Sequence, residues 1–332
     1  MNFLIFGLGA IGTVFSVSLK KAGHVVYGIT KEKYFKQIKE KPIRIRGLFG
    51  EKTVNLDGIY INPKELAGKN IDLVIVSVKS YDTKEAISEL EPILNEKTLV
   101  LLAQNGYGNY EIATYLLNKK KVILSRIIFG AKLIETGFAE VTVFADDIII
   151  GQPEKAISEE KLNEIGEIFN QAGLPTRVSN DVYTILWDKI LYNSALNPLG
   201  ALLGCTYGML AEYEETREIM NQIIREIFDI TKAKGIKLNW RGHEEFQRYF
   251  YEKLVPPTAR HFPSMYYDIE QGKKTEIDAL NGAIVQMGKE TGIPTPVNET
   301  ITKLIKTKEK LKILRLFNNR RDLCINTGLR KF

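Results

Sequence analysis

Two cysteines, Cys205 and Cys324, and three histidines are all that 332 residues contain. So few cannot build a disulfide framework, and none stands at metal-ligand spacing, so reduced thiols and no metal are expected. No apolar run approaches the roughly 20 residues of a membrane span, and Met1 leads straight into a strand-like run without a basic segment ahead of it. These absences predict a cytoplasmic protein that does not contact the membrane. Charge, by contrast, is plentiful: 46 Lys and Arg against 40 Asp and Glu leave +6. The bases are diluted among acids except at the carboxyl end, where Lys303, Lys306, Lys308, Lys310, Lys312, Arg315, Arg320, Arg321, Arg330 and Lys331 cluster. A solvated helix face and tail explains that cluster better than a nucleic-acid surface, so no nucleic-acid partner is expected. With 44% hydrophobic and 26% charged residues the chain reads as soluble and globular, and its length favours two domains.

What the chain does have is a glycine turn in a telling place. Met1 to Phe6 is an apolar run that stops at Gly7-Leu8-Gly9-Ala10-Ile11-Gly12, and ten residues without Gly or Pro follow. Gly23 then ends a helix, and His24 to Ile29 reads as a second strand. A GxGxxG alone is weak. Between a strand and a helix it predicts a dinucleotide site: Gly7 for the tight turn, Gly9 for approach of a pyrophosphate, Gly12 for close helix packing. The anion would meet unpaired N–H groups at the positive end of the helix. The residues after the second strand choose the cofactor, an acid accepting from a ribose 2′-OH and a base pairing with a 2′-phosphate. Here they are Thr30-Lys31-Glu32, and Lys31 points to NADPH over NADH.

Further along, Ile43 to Leu48 and Lys52 to Leu56 read as short strands, and Ile71 to Val78 as a strand buried on both faces. Lys79 follows it, where polar residues line the ligand crevice of a parallel sheet; it suits a cofactor phosphate or ribose, or simply an exposed lysine. A helix from Thr83 to Leu94 leads to a strand over Thr98 to Ala103 that ends in Gln104-Asn105-Gly106. Asn105 could bridge the nicotinamide end and the substrate, or only form the turn. Strands over Lys121 to Phe129, with Ala131 just beyond, Ala139 to Phe144 and Asp147 to Ile150, a helix over Glu159 to Ala172 and a strand at Pro175 to Ser179 complete a Rossmann-type domain over 1–179. From 180 to 332 the pattern is helical, with apolar periodicity over Val182 to Leu196, Thr216 to Lys234, Asp268 to Glu290 and Asn298 to Leu311. Such a helical domain would offer a homodimer surface.

In Leu186-Trp187-Asp188-Lys189-Ile190-Leu191-Tyr192-Asn193-Ser194-Ala195-Leu196-Asn197-Pro198, three polar residues, Lys189, Asn193 and Asn197, stand four apart. Successive members advance by only roughly 40°, so they share one stripe of a mostly apolar helix. Such a stripe demands a polar cavity or polar partners. From spacing alone, Lys189 fits equally a site residue and an exposed or structurally paired lysine. A second polar cluster joins Ser264-Met265-Tyr266-Tyr267-Asp268 to Thr275-Glu276-Ile277-Asp278, where Glu276 by itself reads as a surface residue within a helix.

Three of these motifs together resemble the 2-dehydropantoate 2-reductase, or ketopantoate reductase, family: Gly7 to Gly12, Trp187-x-Lys189-x3-Asn193-x3-Asn197-Pro198, and Ser264-Met265-x2-Asp268 with Thr275-Glu276-Ile277-Asp278-x2-Asn281-Gly282. The resemblance spans about residues 1 to 305. It implies NADPH-dependent reduction of ketopantoate to pantoate, a step toward pantothenate and coenzyme A. It also implies site roles. Gly7, Leu8, Gly9, Ala10, Ile11, Gly12, Lys31, Lys79, Asn105 and Ala131 would bind the cofactor, and Asn105, Lys189, Asn193, Asn197 and Ser264 the substrate. Lys189 would be the general acid and Glu276 its partner or that of a substrate hydroxyl. Two departures, Tyr207-Gly208 and His261-Phe262-Pro263, fall where some members carry asparagine or serine, at the substrate's outer part. A paralogue reducing another branched 2-oxo acid is the alternative enzyme. A non-catalytic dinucleotide sensor or nucleic-acid binder is the alternative of another class, and the intact Lys189, Asn193, Asn197 and Glu276 set argues against it.

Overall fold

The computed structural model describes residues 1–328, with side chains to 313, and falls into two compact units, Met1–Leu186 and Trp187–Phe332. The first unit opens with β1 (Asn2–Phe6), α1 (Ala10–Lys21) and β2 (Val25–Ile29), as the glycine turn requires. Then come α2 (Glu32–Glu40), β3 (Ile43–Gly47), β4 (Lys52–Val54), β5 (Gly58–Tyr60), β6 (Leu73–Val76) and α3 (Thr83–Leu90). Next are β7 (Leu99–Leu102), α4 (Asn109–Leu116), β8 (Val122–Arg126), β9 (Phe129–Glu135), β10 (Phe138–Phe144), β11 (Ile148–Gly151), α5 (Glu159–Gln171) and β12 (Thr176–Val178). The expected helix from Thr83 stops at Leu90 and tightens into a 3₁₀ turn over Glu91–Ile93, because Pro92 has no N–H to continue it.

Eight strands form one sheet in the order β12-β11-β8-β7-β6-β1-β2-β5. From β8 to β5 every pairing is parallel, while β11 runs antiparallel to β8. β6 and β7 are buried at every position, which is why their sequences are continuous apolar runs rather than alternations. Chain order reverses between β1 and β6, and in such sheets ligands bind at the carboxyl ends of the strands beside that switch.

The expected strands at Ile43, Lys52 and Ala139 are present, but they make a second sheet, β4-β3-β10-β9, that packs on the far side of α1. Residues Gly12 to Leu19 of α1 are consequently all buried, and Phe15 meets Phe129 of the second sheet and Phe169 of α5 at ring-centroid distances of 6.3 and 5.5 Å. Ala131 is a correction. It lies inside β9, opposite Val141, not beyond a strand of the parallel sheet, because β8 already ends at Arg126, whose guanidinium bonds the Asp146 carboxylate.

The second unit is helical among its described residues. Its first helix, α6 (Val182–Leu203), starts in the first unit and runs through Pro198. α7 (Tyr207–Glu212), α8 (Glu214–Ala233), α9 (His243–Tyr249) with a π turn over Phe250–Leu254, α10 (Ser264–Glu270), α11 (Asn281–Thr291) and α12 (Pro296–Gly328) follow. The single helix expected over 268–290 is therefore broken. Gly272 turns the chain at φ 65°, and Glu276 precedes a 3₁₀ turn, Ile277–Ala279, instead of standing within a helix. Ile269, Ile277, Leu280 and Ile284 are all buried, so apolar spacing carried across a break that it cannot register. No described helix is long and apolar enough to cross a membrane, and no group of His, Cys, Asp and Glu suited to a metal occurs among the described residues.

The unit's core holds a buried acid. Glu226 of α8 accepts from the Val297 and Asn298 backbone N–H groups at 2.8 and 2.9 Å and from Asn298 Nδ2 at 2.7 Å, so it satisfies donors that the start of α12 cannot satisfy itself. Glu226→Ala strands all three, and a fall of about 2–4 kcal/mol in unfolding free energy is expected from urea titration. A loss below about 0.5 kcal/mol would show that α12 is held by other means.

Candidate active site

In the first unit the glycine loop is fixed by contact rather than by flexibility. A Cβ on Gly12 would stand 2.0 Å from the Gly7 carbonyl oxygen and 2.6 Å from Ser77 Oγ, and Gly7 itself adopts φ 107°. Ser77, just after β6, donates to the Gly7 carbonyl at 2.7 Å and through its backbone N–H to Phe6 at 2.9 Å. Loop, helix and two strand ends are thereby tied at one point. A Cβ on Gly9 would meet no atom within 4 Å, and Gly9 caps α1 without any side-chain hydrogen bond. The first N–H groups of α1 thus start from open backbone, an arrangement that fits a pyrophosphate.

Lys79 and Asn105 follow β6 and β7, at the same carboxyl edge as Gly7 to Gly12. The segment that bears Asn105 is held by buried polar residues with no role in the sequence-based expectation. Thr83 Oγ1 donates to Asn109 Oδ1 at 2.7 Å and accepts from Gln104 Nε2 at 2.6 Å, while Asn109 Nδ2 holds the Asn105 carbonyl at 2.9 Å. The signal was the polar run straight after a buried strand. Lys31 stands between β2 and α2, largely exposed, in a 2.8 Å ion pair with Asp82. Ala131 lies in β9 of the second sheet, five residues after β8 ends at Arg126.

In the second unit α6 carries Lys189, Asn193 and Asn197 as the spacing predicts. Lys189 is half-buried; Asn193 and Asn197 are 9% and 6% exposed. Beside Lys189, the Asp188 carboxylate accepts from Asn239 Nδ2 at 2.6 Å and from the Trp240 indole at 3.0 Å. Asn197 Oδ1 accepts from the Tyr207 hydroxyl. Burial pushes that phenol well above its ordinary pKa, with Tyr192 adding to the shift, so it stays protonated and donates, leaving the Asn197 NH₂ to face elsewhere. The two departures meet here: the Tyr207 and His261 rings are 5.3 Å apart, Tyr207 N–H donates to the His261 carbonyl at 3.1 Å, and burial lowers the imidazole pKa. Ser264 begins the short α10 and is exposed; Glu276 is half-buried, on a segment held by a 2.7 Å bond from Thr275 N–H to Glu309. Tyr207 and His261 stand out in the sequence, but no residue pattern pairs positions 54 apart.

A mostly parallel sheet with a glycine-rich turn after its first strand, followed by a helical unit with a Lys-Asn-Asn stripe, has the architecture of a dinucleotide-dependent oxidoreductase. The signature described as "Ketopantoate reductase PanE/ApbA" matches residues 3–155, and that of its C terminal part matches residues 181–309. The chain belongs to the ketopantoate reductase family. It is 48% identical over 309 residues to a 2-dehydropantoate 2-reductase of Aquifex aeolicus, covering 93% of this chain and 97% of the relative. Identity to the enzyme of that name from Pyrococcus horikoshii is 31%, covering 94% and 98%. Among solved structures, a PanE/ApbA family ketopantoate reductase from Ralstonia eutropha superposes with TM-score 0.82 at 28% identity, covering 94% of this chain and 99% of that one. D-mandelate dehydrogenase with NADH and anilino(oxo)acetate reaches 0.84 at 24% identity over the same shares, a likeness in fold.

The glycine geometry separates folding from binding. Gly12→Ala must displace backbone and should cost about 2 kcal/mol or more of stability. Gly9→Ala should leave the melting temperature of the cofactor-free protein within about 2 °C yet weaken dinucleotide binding on the order of tenfold or more, since its methyl group occupies the approach to the α1 N–H groups. Thermal melts with and without NADPH check both, and a Gly9→Ala protein with unchanged NADPH affinity would remove the loop from the cofactor site.

Proposed function

We propose that this protein catalyses the NADPH-dependent reduction of 2-dehydropantoate to pantoate, a cytoplasmic step toward pantothenate and coenzyme A. The observation that carries the reading is the α6 stripe, where Lys189, Asn193 and Asn197 follow one another with Asn197 oriented by Tyr207. The 48% identity to an enzyme of that name over nearly the whole chain supports the choice of substrate.

Gly7 to Gly12 would hold the pyrophosphate, and Lys79 and Asn105, at the same sheet edge, the ribose and nicotinamide side. When bound, the reduced cofactor supplies hydride to a carbonyl carbon. The negative charge that then grows on the carbonyl oxygen needs an electrostatic partner and a proton, and the Lys189 ammonium provides both from Nζ. Asn193 and the NH₂ of Asn197 donate to substrate oxygens, Ser264 and Asn105 receive the carboxylate, and Glu276 accepts from the substrate hydroxyl or steadies the ammonium. Ala131, in β9, would complete the cofactor contacts. Tyr207 and His261, paired at 5.3 Å beside Asn197, favour as a second reading another branched 2-oxo acid with a different outer part. NADPH oxidation with a panel of 2-oxo acids decides between the two, and failure with all of them would overturn both.

Lys189→Ala should lower kcat by about 10² to 10⁴ while leaving the NADPH dissociation constant unchanged. Near-normal turnover would require another proton donor.

For the cofactor, Lys31 would meet the 2′-phosphate by exchanging its exposed 2.8 Å pairing with Asp82, so the net gain is only about 1 kcal/mol and the NADPH preference several-fold. The ratio of kcat/KM for NADPH over NADH should fall toward one in Lys31→Ala. An equal loss with both cofactors, or an NADH preference in the unaltered protein, would contradict the assignment.

A further inference from the structure

Pro198 interrupts α6 without ending it. A proline has no N–H, so the carbonyl four residues earlier loses its helical partner; in α6 that carbonyl is Ser194, fully buried between Asn193 and Asn197 in sequence. A buried carbonyl left without a donor is costly, and another element supplies one. Asn281, the first residue of α11 and itself fully buried, donates Nδ2–H to the Ser194 carbonyl at 3.1 Å.

The orientation of that amide is dictated from behind. Asn298 spends both N–H bonds of its amide on Glu226 at 2.7 Å and on the Ile223 carbonyl at 3.4 Å, so its Oδ1 is left to accept. Asn281 Nδ2 donates to it at 2.9 Å. A carboxylate at one end can only accept, and this fixes the direction of every bond down to Ser194. We infer that Asn281 is a positioning residue: through the Glu226–Asn298–Asn281 relay it replaces the hydrogen bond that Pro198 abolishes, and so sets the backbone from which Asn193 and Asn197 reach the substrate. The kinetic half of this inference rests on the proposed 2-oxo acid reduction; the structural half does not.

The test is a double-mutant cycle of Asn281→Ala and Pro198→Ala, read by urea unfolding and by kinetics. Alanine at 198 restores an N–H to Ser194, so the effect of Asn281→Ala on the unfolding constant should be about tenfold smaller in the Pro198→Ala background. In the otherwise unaltered protein, Asn281→Ala should lower kcat/KM for ketopantoate on the order of tenfold with the NADPH dissociation constant unchanged, and Pro198→Ala should recover most of the loss. If Asn281→Ala does not fold alone, the double variant should fold. Additive effects on unfolding, or a double variant as unfolded as the single, would overturn the relay. Coupling in unfolding together with unaltered kcat/KM in Asn281→Ala would overturn the positioning role. Coupling in an otherwise inactive unaltered protein would support the relay and reject the proposed reaction instead.

Discussion

Helix α1 begins where it does because Gly12 has no side chain to keep it away from β1. Its α-carbon lies so near the Gly7 carbonyl that a methyl group would have to stand 2.0 Å from the oxygen, and the Ser77 hydroxyl reaches the same oxygen from β6. One carbonyl therefore registers a strand, a helix and the neighbouring strand across the switch point. The helix N-terminus is left facing the carboxyl edge of the sheet, where Lys79 and Asn105 follow their strands. Close approach has a second effect. Pressed on the parallel sheet along one side, α1 still has an apolar far side, and the β4-β3-β10-β9 sheet covers it through contacts such as Phe15 with Phe129. The glycine loop and the second sheet thus answer to the same constraint.

That history explains which parts of the first unit could be read from sequence. Strands buried on both faces announce themselves as runs, and β1, β6 and β7 did so, as did the glycine turn. In β3, buried Ile43 and Ile45 alternate with exposed Arg44 and Arg46, an alternation visible in sequence. Its partner was not visible, since β3 pairs in parallel with β10, nearly a hundred residues away, and only the far side of α1 brings them together. Ala131 was misplaced for that reason. A chain entering a different sheet leaves no mark on the local pattern, and Ile127-Ile128 reads like any other continuation of an apolar strand.

The second unit was legible in its stripe and illegible in its orientation. Helical spacing puts Lys189, Asn193 and Asn197 on one line, and α6 carries all three, but it runs past the expected end at Leu196, through Pro198, to Leu203. Nothing in spacing tells which way an asparagine amide faces. That depends on Tyr207, whose hydroxyl holds Asn197 Oδ1, and on Asn281, whose NH₂ takes the Ser194 carbonyl. Both lie on other helices, and each contact is set by a hydrogen-bond direction that a residue pattern does not encode. Glu276 was misread in the opposite sense. A periodic apolar pattern makes it helical, whereas Gly272, at positive φ, turns the chain and leaves Glu276 before a tight turn.

The basic cluster at the carboxyl end looked like a surface feature, and those members from Arg315 onward lie outside the residues whose side chains are described. Lys303, Lys306, Lys308 and Lys312 have structural partners. Lys303 pairs with Glu299 on its own helix, but Lys306 pairs with Asp278, two residues after Glu276, and Lys312 with Glu270 at the end of the helix that Ser264 begins. Each such pair, being partly exposed, is worth at most about 1 kcal/mol. Lys308 differs, because it donates to the Ala201 and Leu202 carbonyls at 2.7 Å each, in the last turn of α6, where a cation also meets the negative end of the helix dipole. Burial draws its pKa down, with Glu270 opposing. One helix therefore steadies the segments bearing Ser264 and Glu276 and fixes the far end of α6. With Asn281 holding the middle of α6 at Ser194 and Lys308 its end, the Asn193 and Asn197 side chains are set by two anchors outside the helix itself, on a backbone that Pro198 alone would leave free to bend.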